Sequence, residues 1–183
     1  MGWLFTAQGR DALVEELLNT PRPRRRVLEH SLVGNRLWVL FETSEDDATA
    51  PERAIMLFLL EHGGNGSWGY KAIHESMGPA YYGCPKRILD RSTCRDGHAV
   101  KWRAECAQER ADRKRRREYV ASLKPGDTFT SLGRRVVLAD FQPPGLGRNY
   151  VAGYMDGKLY KWATSNIDLP HRGQPALELA VAA

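Results

Sequence analysis

Long apolar runs are missing from this 183-residue chain. The longest, Ile-Met-Leu-Phe-Leu-Leu at residues 55–60, falls far short of the roughly 20 residues a membrane-spanning helix needs, so no membrane partner is expected. Cysteine is scarce as well. Cys84, Cys94 and Cys106 are an odd number without a Cys-x-x-Cys pair, which excludes a disulfide framework and points to reduced thiols in a cytoplasmic protein. The first five residues, Met-Gly-Trp-Leu-Phe, lack the basic start and apolar core of a secretion signal. No phosphate-binding loop is present: Gly145 and Gly147 are followed by neither Lys-Ser/Thr nor a helix pattern. Internal repeats and low-complexity tracts are also absent. What remains, with 42% hydrophobic and 27% charged residues, is the composition of an ordinary folded protein of one domain or two small ones.

Positive charge is present and unevenly placed. The chain carries 27 Lys and Arg against 22 Asp and Glu, a formal +5. Residues 101–124 hold nine basic and four acidic side chains, an excess equal to that of the whole chain. Arg22, Arg24, Arg25 and Arg26 add a second cluster, expected as a polar loop closing a helix, so the rest of the chain sums to −4. An acidic body with two basic stripes suits a nucleic-acid backbone or an acidic protein surface.

The pattern along the chain predicts an α+β protein. Residues 9–20 read as a helix with Leu13, Val14, Leu17 and Leu18 on one face. Runs 27–33 and 36–43 around Gly34-Asn35 predict a hairpin with a type II′ turn. In the second run Leu37, Val39 and Phe41 alternate with Trp38 and Leu40, so both faces of that strand are expected to be covered. Residues 45–51 read as an exposed loop, 55–60 as a third strand, 63–85 as a long ordered loop and 85–90 as a helical turn. A long helix is expected over 99–123, with Asp96 as its N-cap. Its apolar stripe is thin (Val100, Ala104, Ala107, Ala111, with Trp102 and Cys106 beside it) until Tyr119, Val120 and Leu123. Short β-runs at 126–130, 134–141, 150–155 and 158–167, with Asp156-Gly157 as a type I′ hairpin signal, predict a small C-terminal β-barrel-like module or curled sheet of SH3-like character. The expected organisation is an N-terminal α+β domain (1–98) with a small antiparallel sheet and a packed helix, a long basic helix (99–124), the β module (125–172) and a tail.

The segment 66–85 is the densest in special residues. It holds Trp68, Tyr70, Tyr81 and Tyr82 with Lys71, His74, Glu75, Ser76 and Cys84, and its glycines and prolines set the backbone. Together with Met1-Gly2-Trp3, the residues Trp68, Gly69, Tyr70, Lys71, Glu75, Ser76, Met77, Gly78, Pro79, Tyr81, Tyr82, Cys84 and Pro85 resemble the pattern of a bacterial and phage family carried on phages, plasmids and integrated elements. The resemblance covers roughly residues 1–120 and implies a mobile-element accessory role, with action against host defence as one form of it; it implies no reaction. Members of the family are usually acidic where this chain has Ala72, His74 and Gly83, which argues against an obligatory His74.

Three chemistries follow from these residues. A Cys84–His74 pair, with Glu75 orienting and Lys71 supplying positive charge, would be the nucleophilic reading, set against Cys84 as a small buried hydrophobe. Cys84, Cys94, His98 and Cys106 form a chemically suitable zinc set, but lack the close Cys pair usual in structural sites. No metal and no cofactor is therefore expected. Arg110, Arg113, Lys114, Arg115, Arg116 and Arg117 would neutralise phosphates while Trp68, Tyr70, Tyr81 and Tyr82, with Lys71 beside them, stack on unpaired bases; the competing role for the aromatics is to anchor loop packing. The leading expectation is an accessory protein that binds nucleic acid or a nucleic-acid-handling complex through the basic helix. The alternatives are a protein-binding inhibitor of a host defence system (anti-CRISPR or anti-restriction) and an enzyme using Cys84 or Glu75.

Overall fold

The computed structural model describes residues 2–21, 24–43 and 51–170. Met1, Arg22, most of the expected loop at 45–51 and the tail lie outside the described residues. The chain divides into two compact units, Met1–Glu109 and Arg110–Ala183, and each is described by itself.

The first unit is a five-stranded antiparallel sheet with helices on both faces. Its strands are β1 (Leu4–Ala7), β2 (Arg25–Val33), β3 (Arg36–Thr43), β4 (Glu52–His62) and β5 (Trp68–His74), in the order β1-β5-β4-β3-β2. The β2–β3 hairpin turns at Gly34, whose φ of 58° is open to glycine without a Cβ penalty. Arg25 and Arg26 do not belong to a closing loop as expected. They open β2, and Arg26 pairs with Glu42 across the β2–β3 ladder at 2.9 Å.

The double-sided pattern of β3 is realised. Leu37, Val39 and Phe41 join Phe58, Leu60 and Ala7 under helix α1 (Arg10–Asn19), which contributes Leu13 and Leu17. Trp38 and Leu40 join Ile55 and Leu57 on the opposite face, covered by α2 (Lys86–Leu89) and the start of α3 (Gly97–Ser122). Burying both faces removes the apolar surface of an antiparallel sheet from water at about 25 cal/mol per Å².

One expectation fails here. The segment 63–85 is not one loop, because its first half forms β5, with Trp68, Tyr70 and Ala72 alternating onto the α1 face. The strand β1, unread in the sequence, pairs with it: Leu4 lies opposite Tyr70 and Phe5 opposite Gly69. β1 has three exposed residues out of four and so no hydrophobic alternation to betray it; backbone pairing holds it.

Helix α3 is capped as expected, Asp96 Oδ1 accepting from the His98 and Ala99 N–H groups at 2.9 and 3.1 Å. Its buried face differs. Ala99, Trp102 and Cys106, at i, i+3 and i+7, face the sheet in place of the alanine stripe, and Val100 is exposed. One indole buries more area than several alanines, and Trp102 stacks on Trp38 with centroids 6.0 Å apart.

The second unit joins the C-terminal part of α3 to a meander of β6 (Thr128–Ser131), β7 (Arg134–Leu138), β8 (Tyr150–Met155) and β9 (Lys158–Ala163), in sequential order. All four expected strands are present. Asp156 and Gly157 both have positive φ, 51° and 73°, the pair a type I′ turn requires. Phe129, Val136, Leu138 and Ile167 form the core, with Tyr119, Val120 and Leu123 of α3 packed on it. After β9 a 3-10 turn (Thr164–Asn166) brings Ile167 back to bridge Ser131 of β6. The sheet is curled, and no closed barrel forms among the described residues. No helix among the described residues is long and apolar enough to cross a membrane.

Candidate functional site

The residue-dense block 66–85 proves to be a set of structural joints. A Cβ on Gly69 would lie 2.5 Å from the Leu4 carbonyl oxygen and 2.6 Å from the Phe5 ring, so only glycine lets β1 close on β5. Glu75, at 0% exposure, is held at three points. Its Oε1 accepts from the Ile55 N–H (2.8 Å) and the Ser92 hydroxyl (2.7 Å), and its Oε2 from Arg103 (2.6 Å). Arg103 also donates to Ser92 Oγ and the Cys94 carbonyl. The carboxylate thus ties β4, the turn after β5, the segment before α3 and α3 itself.

The remaining residues of the block are also occupied by the fold. His74 Nδ1 meets Ser76 Oγ at 2.7 Å and accepts from the Ser76 N–H, capping the 3-10 turn Glu75–Met77. Gly78 ends that turn with φ 57°. The Tyr81 carbonyl accepts from Trp102 Nε1 at 3.1 Å, and Arg36 lies over the Tyr81 ring. Trp68 packs edge-on against His62 and Tyr70 against Phe58. Lys71 sits on the other face, opposite Leu59. Tyr82 is exposed, and the neighbouring Glu105 carboxylate raises its hydroxyl pKa above the ordinary tyrosine value. Trp68, Tyr70, Lys71, Tyr81 and Tyr82 are therefore spread over both sheet faces and do not converge on one surface.

Cys84 is 2% exposed in the core with Trp38 and Cys106, which gives a nucleophilic thiol no approach to a substrate. Cys94 is buried with Ala54 and Ala99, and burial pushes its thiol pKa up, away from thiolate. All three cysteines are free thiols. The proposed zinc set is not brought together: Cys84 and Cys106 share one cluster, Cys94 another, and His98 is exposed. Among the described residues no three His, Cys, Asp or Glu side chains are placed to hold a metal ion.

The basic helix residues sort into two roles. Arg116 Nε donates to the Ile167 carbonyl at 2.9 Å, fastening α3 to the bridge that curls the sheet, and Arg115 is paired with Asp112. Arg113, Lys114 and Arg117 are exposed, Lys114 forming an exposed i,i+4 pair with Glu118 at 3.8 Å. With half-buried Arg110 they lie at i, i+3, i+4 and i+7, which is one stripe of a helix.

Charge separates the units sharply. Residues 1–109 contain 14 basic and 15 acidic side chains, net −1, and residues 110–183 contain 13 and 7, net +6. The strands β6–β9 contain Arg134, Arg135, Lys158 and Lys161 and no acidic residue. The runs expected at 126–130 and 134–141 include Asp127 and Asp140, so the strand bounds, rather than the sequence pattern, make the sheet free of acidic residues.

No family model matches the chain, and neither a curated protein nor a solved structure matches it.

Proposed function

We propose that this protein is a nucleic-acid-binding accessory of mobile elements, acting through the basic stripe of α3, with a second unit of SH3-like barrel type. One observation carries the reading. The second unit holds a net +6 while the first is net −1, and four of its cations, Arg110, Arg113, Lys114 and Arg117, share one helix stripe. Such a stripe neutralises phosphates and releases their counterions, without requiring a base-reading motif. The barrel assignment is supported by the four-stranded meander, the 3-10 turn and the Ser131–Ile167 bridge.

Charge reversal at Arg113, Lys114 and Arg117 tests it, because these side chains are exposed whereas Arg115 and Arg116 have packing roles. Binding should fall steeply with salt in the unaltered protein and be abolished in the triple variant. Unchanged binding in that variant refutes the reading. A second reading, a protein-binding inhibitor of a host defence system, is favoured by the exposed apolar Trp3, Leu4 and Phe5 along the β1 edge, since buried aromatic anchors dominate protein interfaces. A partner from host lysate that survives nuclease treatment selects it. Catalysis by Cys84 or Glu75 gains no support from their burial.

A further inference from the structure

We infer that the outward face of the β6–β9 sheet is a binding surface for single-stranded DNA, an inference that rests on the nucleic-acid reading above. Register defines the face. Thr128, Val137, Tyr154 and Leu159 form one row across the four strands, and Ala152 with Lys161, then Tyr150 with Ala163, form the next two. The opposite face supplies Phe129, Val136, Val151 and Trp162 to the core, so this one looks away from it. Val137, Leu159 and Tyr150 are 39%, 40% and 41% exposed. Arg135 extends the same face, one row beyond Val137.

A solvated sheet face is ordinarily polar. This one has an apolar and aromatic centre with cations at two sides and no acidic residue at any strand position. That combination complements a ligand with π-faces and a polyanionic backbone. Lys161 Nζ lies 3.9 Å from the centroid of the Tyr150 ring, so a base taking the ring face finds the ammonium within reach of its own phosphate. The backbone class follows from the centre of the patch. Ala152 is buried there, and the exposed Val137 and Leu159 offer no side-chain partner to a ribose 2′-hydroxyl, whose burial without a hydrogen bond is costly, while aliphatic groups suit deoxyribose and the thymine methyl.

Fluorescence anisotropy with labelled oligo(dT), using the full chain, tests the assignment. The variant Y150A/L159S removes no charge. It should weaken binding roughly 5- to 150-fold, the range for losing one stacked base, with the slope of log affinity against log salt unchanged. The variant R113E/K114E/R117E should instead abolish binding at every salt concentration. Cross-linking of an iododeoxyuridine oligonucleotide to the unaltered protein should map to Tyr150 or Tyr154, which keeps the test decisive if the sheet variant fails to fold. Full affinity in folded Y150A/L159S, or cross-links confined to α3, overturns this inference and leaves the helix reading standing. No binding by the unaltered protein overturns both. Equal or tighter binding of oligo(U) through the same residues overturns the assignment to DNA.

Discussion

Replacing Glu75 by Gln perturbs a buried carboxylate that three hydrogen bonds hold within the first unit. The carboxylate is 0% exposed and Arg103 only 18%, so neither charge is relieved by water when its partner is lost. The amide retains acceptor capacity for the Ile55 N–H but leaves the guanidinium bonded only to Ser92 Oγ and the Cys94 carbonyl. Removing one member of a buried pair costs about 3–5 kcal/mol, because the other is left uncompensated. For a unit of this size that lowers the midpoint of thermal unfolding by about 10–20 °C. Arg103→Met should cost a similar amount. The double variant should be little worse than either single one, giving a coupling energy close to a single loss, about 3–5 kcal/mol in magnitude. Urea and thermal unfolding followed by circular dichroism measure all four proteins, and the stacked Trp38 and Trp102 indoles report the same unit by fluorescence. A Glu75→Gln protein within about 1 kcal/mol of the original, or strictly additive losses, would refute the claim that this pair fastens the fold. The outcome also bears on chemistry, since a carboxylate poised for catalysis is usually replaced by its amide without such a loss.

Two further outcomes are expected. Gly69→Ala should detach β1, since the new methyl would sit 2.5 Å from the Leu4 carbonyl oxygen. The expected loss is about 1–3 kcal/mol, seen as faster hydrogen exchange at residues 4–7 and 68–70; unchanged exchange there counts against the close approach. Tyr119 has its pKa raised above the ordinary 10.0, first by burial and then by Asp127. The folded state therefore holds that proton more tightly than the unfolded chain does. The contribution is fully present below pH 10 and is lost as pH rises through the folded value. Alkaline unfolding of the second unit should show this slope, and Tyr119→Phe should reduce it.

Much of the architecture was legible from residues alone because its signals are local. The Gly34-Asn35 and Asp156-Gly157 turns, the Asp96 cap and the alternation of β3 each lie within a few residues of chain, and the four C-terminal strands follow from the same grammar. β1 and β5 were not legible. One has exposed side chains, the other begins among glycines, and the pairing that makes both into strands spans more than sixty residues. The buried face of α3 was misjudged for a related reason, since the stacking partner of Trp102 is Trp38, far away in sequence.

By itself the sequence determined the class of the fold, the hairpins, the helix cap and where positive charge is concentrated, all of which depend on neighbours along the chain. Tertiary structure alone decided what those residues do. It buried Glu75 and Cys84, both chemically suggestive in sequence, because long-range packing supplied Arg103 for one and a tryptophan-lined core for the other. It also divided the arginines of α3, committing Arg116 to the Ile167 carbonyl and leaving Arg113, Lys114 and Arg117 exposed. Burial and partnership are properties of what the rest of the chain brings near, and composition or spacing does not encode them.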